Sequence, residues 1–244
     1  MEPAESGRPA APAPEPRRAQ RLHAAGRLSF RRRVPEVRAQ DLPCVVGGED
    51  PPALSDLVPE GYRRVEIEVG PGKGIFLLAA AQAQPETFFL GIEAAVAYGR
   101  HAAERLVHAG VRNALLLVDN ANLYLGDRIE PGTVDRIHVY YPDPWPKRRH
   151  RKRRFFHEGM PEVLARALRP GGHLLVATDN ACYAGQIALV LGSSTFLRRD
   201  PEEERRLLGG PPGFGFTPTA FERKYLAEGR VLRRYAYRKP EAAA

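Results

Sequence analysis

Residues 65–78 read Val65-Glu66-Ile67-Glu68-Val69-Gly70-Pro71-Gly72-Lys73-Gly74-Ile75-Phe76-Leu77-Leu78, and the change of period inside that stretch decides the fold. Val65–Val69 alternates apolar and acidic side chains, the period of two expected of a strand. Three glycines at alternate positions then let the backbone turn tightly and come close to a ligand. From Ile75 the chain runs Ile-Phe-Leu-Leu-Ala-Ala-Ala, which reads as a helix over 75–84. The loop is not a phosphate-binding P-loop, because that motif ends in Lys followed by Ser or Thr. Here Ile75 follows Gly74.

Working outward, the same strand-then-helix unit repeats. Phe88–Ile92 is a second strand, followed by a helix over Ala94–Ala109. Asn113–Val118 and Val134–Tyr141 give the third and fourth strands, rich in β-branched and aromatic residues. A helix over 158–168 stops at Arg169-Pro-Gly-Gly172, and strand 173–177 and helix 181–191 follow. Leu226–Gly229 leads into the alternating segment Val231–Arg238, a late edge strand. Strand–helix alternation at this spacing predicts an α/β fold. The sheet is mostly parallel, helices cover both faces, and the C-terminal edge strand is antiparallel. In such a sheet the ligand sits beyond the C-terminal strand ends, where the strand order reverses.

The chain has 244 residues and a net charge of +8, enough length for one sizeable core and a tail. No apolar run approaches the roughly 18 to 20 residues of a membrane span. The start lacks the basic and apolar regions of a secretory signal. Cys44 and Cys182 are far apart and without metal-ligand spacing, so the chain reads as cytoplasmic with reduced thiols and no metal. The basicity is concentrated. Residues 1–40, rich in Pro, Ala and Arg, hold nine Arg and four Glu, and they read as a disordered tail ahead of a folded domain over 41–244. Residues 147–154, Lys-Arg-Arg-His-Arg-Lys-Arg-Arg, hold seven cations and no acid. Removing the +5 and +7 of these segments from +8 leaves the remainder at −4. Such clustering suits a polyanion, and it makes Arg149, Arg151, Lys152, Arg153 and Arg154 candidate RNA contacts. A solvated surface run is the bland alternative.

The unusual residues lie where strands end. The loop with Gly70 and Gly72 fits phosphate, dinucleotide and S-adenosylmethionine sites alike, or a plain turn. Glu93 closes the second strand 19 residues after Gly74, where a carboxylate can accept both ribose hydroxyls of an adenosine cofactor; capping the next helix is its other use. Asp119-Asn120-Ala121 closes the third strand and can pair with an adenine edge. Tyr140-Tyr-Pro142-Asp143-Pro-Trp145-Pro-Lys147 closes the fourth. Its three prolines stiffen the loop that carries Asp143, and Trp145, the one tryptophan, can stack on a splayed base or be a buried structural residue. Thr178-Asp179-Asn180 closes the fifth strand, and Thr219 opens the last helix, as a cap or a substrate contact. Glu68, Glu93, Asp143 and Asp179 on one rim could also hold a divalent metal, but no His accompanies them.

At these residues the chain resembles the bacterial tRNA (guanine-N7-)-methyltransferase family, from about residue 63 to 238. Pro142-Asp-Pro-Trp-Pro-Lys147 with His150 after it carries most of the resemblance. The resemblance implies a Rossmann-like class I methyltransferase fold, S-adenosylmethionine as cofactor, and a guanosine in the tRNA variable loop as acceptor. It implies that Glu68, Glu93 and Asn120 contact the cofactor, and that Asp143 lies between cofactor and base as the catalytic residue. Lys147, Asp179 and Thr219 through Glu222, with Phe221 between, would contact substrate. Many relatives have Asp-Ala where this chain has Asn120-Ala121, which leaves the detail of that contact open. The rival readings are a methyltransferase for another RNA or a non-RNA acceptor, and a non-catalytic RNA-binding module. The first gives no reason for seven cations beside the acceptor loop, and the second none for carboxylates at successive strand ends. A dehydrogenase is weaker, because the full dinucleotide glycine spacing is missing.

Overall fold

The alternation of residues 65–69 folds as the central strand of an eight-stranded sheet. The computed structural model describes residues 43–208 and 227–241, which fall in the unit Val37–Ala244. The expected tail over 1–40 and the expected helix with Thr219, Phe221 and Glu222 lie outside the described residues. In chain order the first half comprises β1 (Cys44–Val46), α1 (Leu54–Leu57), β2 (Arg64–Val69), α2 (Ile75–Ala83), β3 (Thr87–Glu93), α3 (Val96–His108) and β4 (Ala114–Val118). The second half comprises α4 (Ala121–Asp127), β5 (Val134–Tyr140), a 3-10 helix (Arg148–Arg153), α5 (Met160–Ala167), β6 (Leu168–Thr178), α6 (Ala181–Gly192), β7 (Arg198–Arg199), α7 (Pro201–Leu208) and β8 (Arg233–Arg238).

The strand order is β1-β4-β3-β2-β5-β6-β8-β7. From β2 the chain moves outward to β3 and β4, then returns to place β5 on the other side of β2. The order therefore reverses between β2 and β5, and a ligand crevice is expected above that pair. β1 to β6 are parallel; β8 runs antiparallel to β6, and two-residue β7 pairs with β8. The late antiparallel strand is as expected, except that β7 lies outside it.

Alternation along the strands divides the core into two layers. Ile67, Leu90, Ile137 and Val176 pack with Tyr124, Leu164 and Ile187 of α4, α5 and α6. Phe89, Leu116, Tyr140 and Leu175 pack on the other face with Phe76, Leu77, Ala102 and Leu106 of α2 and α3. In α3 the buried residues Gly99, Ala102, Ala103 and Leu106 fall at helical spacing and form the apolar stripe that seats it.

Two readings shift. The helix before the Pro-Gly segment does end, at Ala167, but the next strand does not wait for residue 173: β6 starts at Leu168, and its register against β5 jumps between Val134 and Arg136. The intervening residues form a bulge, which absorbs the turn chemistry without breaking the strand pairing. A helix not anticipated, α4, follows β4 directly, because the Asn120 side chain accepts the Asn122 N–H at 3.0 Å and caps it.

Candidate active site

A cleft of about 630 Å³ opens above the β2–β5 junction, lined by the ends of β2, β3, β4 and β5. Its first wall is the glycine loop. Gly70, Gly72 and Gly74 have φ of 68°, 53° and 66°, values a side chain strongly disfavours. At Gly74 space is also short, since a Cβ would stand 2.8 Å from that of Ala102.

Glu93 ties this wall to β3. Its carboxylate accepts the Gly72 N–H at 3.0 Å and the Ala95 N–H at 2.9 Å. Glu93 thus steadies the chain entering α3 and stands in the cleft beside the loop.

Glu68 lies deeper, only 4% exposed. Burial and the nearby charge of Glu93 push its carboxyl up to about 8, against a smaller opposing pull from the Leu77 N–H. Its Oε2 is buried without a hydrogen-bond partner. An orphaned carboxylate oxygen of this kind is costly unless a ligand brings a donor or a cation. S-adenosylmethionine has both an ammonium group and a ribose, so Glu68 and Glu93 fit it.

At the β4 end Asp119 and Asn120 both line the cleft, but their side chains are used differently. Asn120, the residue matched to the cofactor, spends its side-chain oxygen on the cap of α4. Asp119 lines the cleft beside it and accepts the Asn120 N–H at 2.6 Å. Asp119 was visible as one more carboxylate at a strand end, the signal that picked out Glu93. Tyr98, on the first turn of α3, also lines the cleft and is 51% exposed; nothing in its spacing marks it.

Beneath the floor runs a polar chain that sequence reading missed. His138 Nε2 lies 2.8 Å from Glu66 and Nδ1 lies 2.9 Å from the Tyr140 hydroxyl. Burial pushes the imidazole below its ordinary value, despite the Glu66 carboxylate. With the Nε2 proton directed to Glu66, Nδ1 accepts from Tyr140, whose ring lines the cleft. The signal was the period of two in β2 and β5, which puts Glu66, His138 and Tyr140 on one face.

The opposite wall is the proline-rich loop. Tyr141 and Trp145 hold φ of 53° and 38°, strained for non-glycine residues and typical of functional loops. Arg154 fixes the loop. It is 2% exposed, donates from Nε to the Pro144 carbonyl at 2.7 Å, pairs with Gln186, and stacks 4.9 Å from the Tyr183 ring centre. The expected run of exposed cations therefore stops at Arg153, and Arg154 turns inward as the loop's anchor. Asp143 is exposed at the cleft mouth. Trp145 also lines the cleft rather than the core, with the Arg153 guanidinium 5.0 Å from its ring centre and His150 edge-on at 5.8 Å.

Lys147, Arg149, Arg151, Lys152 and Arg153 are all exposed, the last four on the 3-10 helix. Among the described residues none of the five forms an ion pair with a carboxylate. Asp179, at the end of β6, is outside the cleft lining and ion-paired to Arg230 at 2.7 Å. The four rim carboxylates do not converge: among the described residues, no group of three or more His, Cys, Asp or Glu is arranged to hold a metal. No described helix is long and apolar enough to cross a membrane.

Comparison with known proteins agrees with this geometry. The methyltransferase family profile Methyltransf_4 matches residues 62–234. A tRNA (guanine-N(7)-)-methyltransferase of Rhodopirellula baltica is 44% identical over 120 residues, 47% of this chain and 44% of that protein. Proteins of the same name from Magnetococcus marinus and Rhizobium meliloti are 34% and 33% identical, over 72% and 78% of this chain and 69% and 80% of their own lengths. The matched region thus spans less than half of the Rhodopirellula relative. Among solved structures, the 16S rRNA methyltransferase KamB has a TM-score of 0.52 at 19% identity, covering 80% of this chain and 98% of that one, a likeness of fold. By the profile match and by relatives that share a third of its residues over most of both chains, this chain belongs to the bacterial tRNA (guanine-N7-)-methyltransferase family.

Proposed function

We propose that this chain transfers the methyl group of S-adenosylmethionine to N7 of a guanosine in tRNA. The observation that carries the reading is a single cleft with two different walls. One wall offers buried carboxylates, Glu68 and Glu93, beside a glycine loop. The other presents Asp143 and Trp145, with exposed cations immediately beyond.

Bound S-adenosylmethionine supplies an electrophilic methyl carbon on a sulfonium. Guanine N7 already holds an in-plane lone pair. That pair forms the N–C bond while the C–S electrons leave with sulfur, so no proton has to move and the positive charge passes to the purine. The protein's task is alignment and charge stabilisation. In this reading Glu68, Gly70, Gly72 and Glu93 hold the cofactor, with Asp119 at its adenine end and Asn120 beside it capping α4. Asp143 stands between cofactor and base and offsets the charge that develops on the ring. Trp145 gives the base a stacking surface, and Arg149, Arg151, Lys152 and Arg153 meet backbone phosphates. Lys147, Asp179, Thr219, Phe221 and Glu222 contact the acceptor. The chain acts as a folded domain over 41–244 behind a basic tail, in the cytoplasm.

The test is methyl transfer from labelled cofactor to unmodified bulk tRNA, followed by nucleoside analysis. The expected product is 7-methylguanosine. Absence of transfer with cofactor binding intact would overturn the acceptor. Neutralising Arg149, Arg151 and Arg153 together should reduce the slope of log affinity for RNA against log salt by about 2 to 3. An unchanged slope would return the run to a solvated surface.

A further inference from the structure

Asp179 has a fixed backbone and a held side chain. Thr178 Oγ1 accepts the Asn180 N–H at 3.2 Å, and Asn180 Oδ1 accepts the Tyr183 N–H at 2.9 Å, capping α6. The neighbouring strand leads to the acceptor loop: Tyr140 pairs with Ala177, and the Tyr141 N–H donates to the Ala177 carbonyl at 2.8 Å. Asp179 is thus two residues past the point where β6 last touches the chain leading to Asp143.

The side chain meets a residue from a distant part of the sequence. Arg230 Nη1 donates to Asp179 Oδ2 at 2.7 Å, and Arg230 Nη2 reaches Glu228 Oε2 at 2.8 Å. The contact follows from topology. β8 runs back along β6 with Arg233 opposite Thr178, and the turn before it, with Gly229 at φ 68°, carries Arg230 to the β6 end. One planar guanidinium therefore joins carboxylates on two segments, a geometry that lysine's single ammonium does not reproduce.

We propose that Arg230 is a positioning residue for Asp179: it holds Oδ2 and so aims Oδ1 at a donor on the acceptor base. The inference rests on the reading of Asp179 as a substrate contact. The physical reason is that an aspartate carboxylate rotates broadly about its last torsion, whereas accepting a base N–H in line needs it fixed. As an exposed pair it adds little to stability, so its effect belongs to the geometry of the site.

The test is a double-mutant cycle on the full chain, reading kcat and KM for unmodified tRNA, with melting temperature and S-adenosylhomocysteine affinity alongside. Arg230→Gln should lower kcat/KM about tenfold, with the other two readouts unmoved, and Arg230→Lys should restore only part. In an Asp179→Asn background, Arg230→Gln should change kcat/KM by less than about twofold, because the group it aims is gone. An equal loss in both backgrounds would mean that Arg230 acts on its own, for instance on a phosphate, and would overturn the inference. So would a single variant within about twofold of the wild type. If Asp179→Asn alone leaves kcat/KM unchanged, the reading of Asp179 fails instead.

Discussion

The two walls of the cleft are held in opposite ways. The wall of the glycine loop is tied within the cleft lining itself: Glu93, from the next strand, binds Gly72 as well as Ala95, and the three glycines adopt their turns without side-chain strain. The proline-rich wall is strained at Tyr141 and Trp145 and is held from outside, by Arg154 reaching across to Gln186 and Tyr183 of α6. The first wall keeps one buried oxygen, Glu68 Oε2, in need of a partner. The second keeps Asp143 and the cations beyond it exposed. A wall for a small cofactor can be finished by its own lining, whereas one for a folded RNA must stay open and be braced from behind.

The largest effect should come from the open wall. Asp143→Ala is expected to lower kcat/KM about a hundredfold or more, since one positioned charge at a developing cation is worth that much. Turnover within about threefold of wild type would remove Asp143 from the reaction.

Arg154→Ala tests whether the walls are independent. Losing its bonds to Pro144 and Gln186 should cost about 2 kcal/mol of stability in urea unfolding and lower turnover. S-adenosylhomocysteine affinity should stay within about twofold, and Arg154→Lys should not rescue, because it lacks the fork. An equal loss of cofactor affinity would show that the two walls form one unit.

Glu68 should make the closed wall pH-sensitive. Its folded value of about 8 lies above the ordinary carboxylate range, so the ligand-free protein keeps this proton where the unfolded chain has lost it. Its contribution to stability is full below the ordinary carboxylate range and is lost as pH rises through about 8. A cationic ligand favours the ionised form and expels the proton. Affinity for S-adenosylmethionine should therefore rise with pH by up to about tenfold per unit below that value. Titrations at several pH values check this, and Glu68→Gln should flatten both trends. A flat wild-type curve would separate Glu68 from the ligand.

The smallest effect separates two neighbours. Asn120→Ala should cost about 1 kcal/mol of stability through the lost cap of α4 with little change in cofactor affinity. Asp119→Ala should do the reverse. Thermal unfolding and ligand titration on both variants decide which residue belongs to the cofactor.

Much of the fold was legible. The strand–loop–helix signal at 65–78, the parallel strands and the late antiparallel strand all follow from period and punctuation, which are local. The bulge at 169–172 and the short β7 were not, because strand register is set by the partner strand and leaves no mark in the segment itself. In the site, sequence picked out Glu68, Glu93, the glycine loop and Asp143 by their place at strand ends. It could not divide labour between Asp119 and Asn120, since which of two adjacent polar residues turns to the ligand depends on the helix that starts there.

By itself, then, the sequence determined the mostly parallel sheet and the residue types at its strand ends, because these depend on alternation, turn chemistry and order along the chain. Only the tertiary structure decided which cation turns inward at Arg154, which carboxylate oxygen is left without a partner at Glu68, and which arginine meets Asp179. Each of those is a pairing between segments far apart in the chain. Burial makes the buried pairings consequential, because a charge or polar atom taken out of water must find its partner inside the protein or in a ligand.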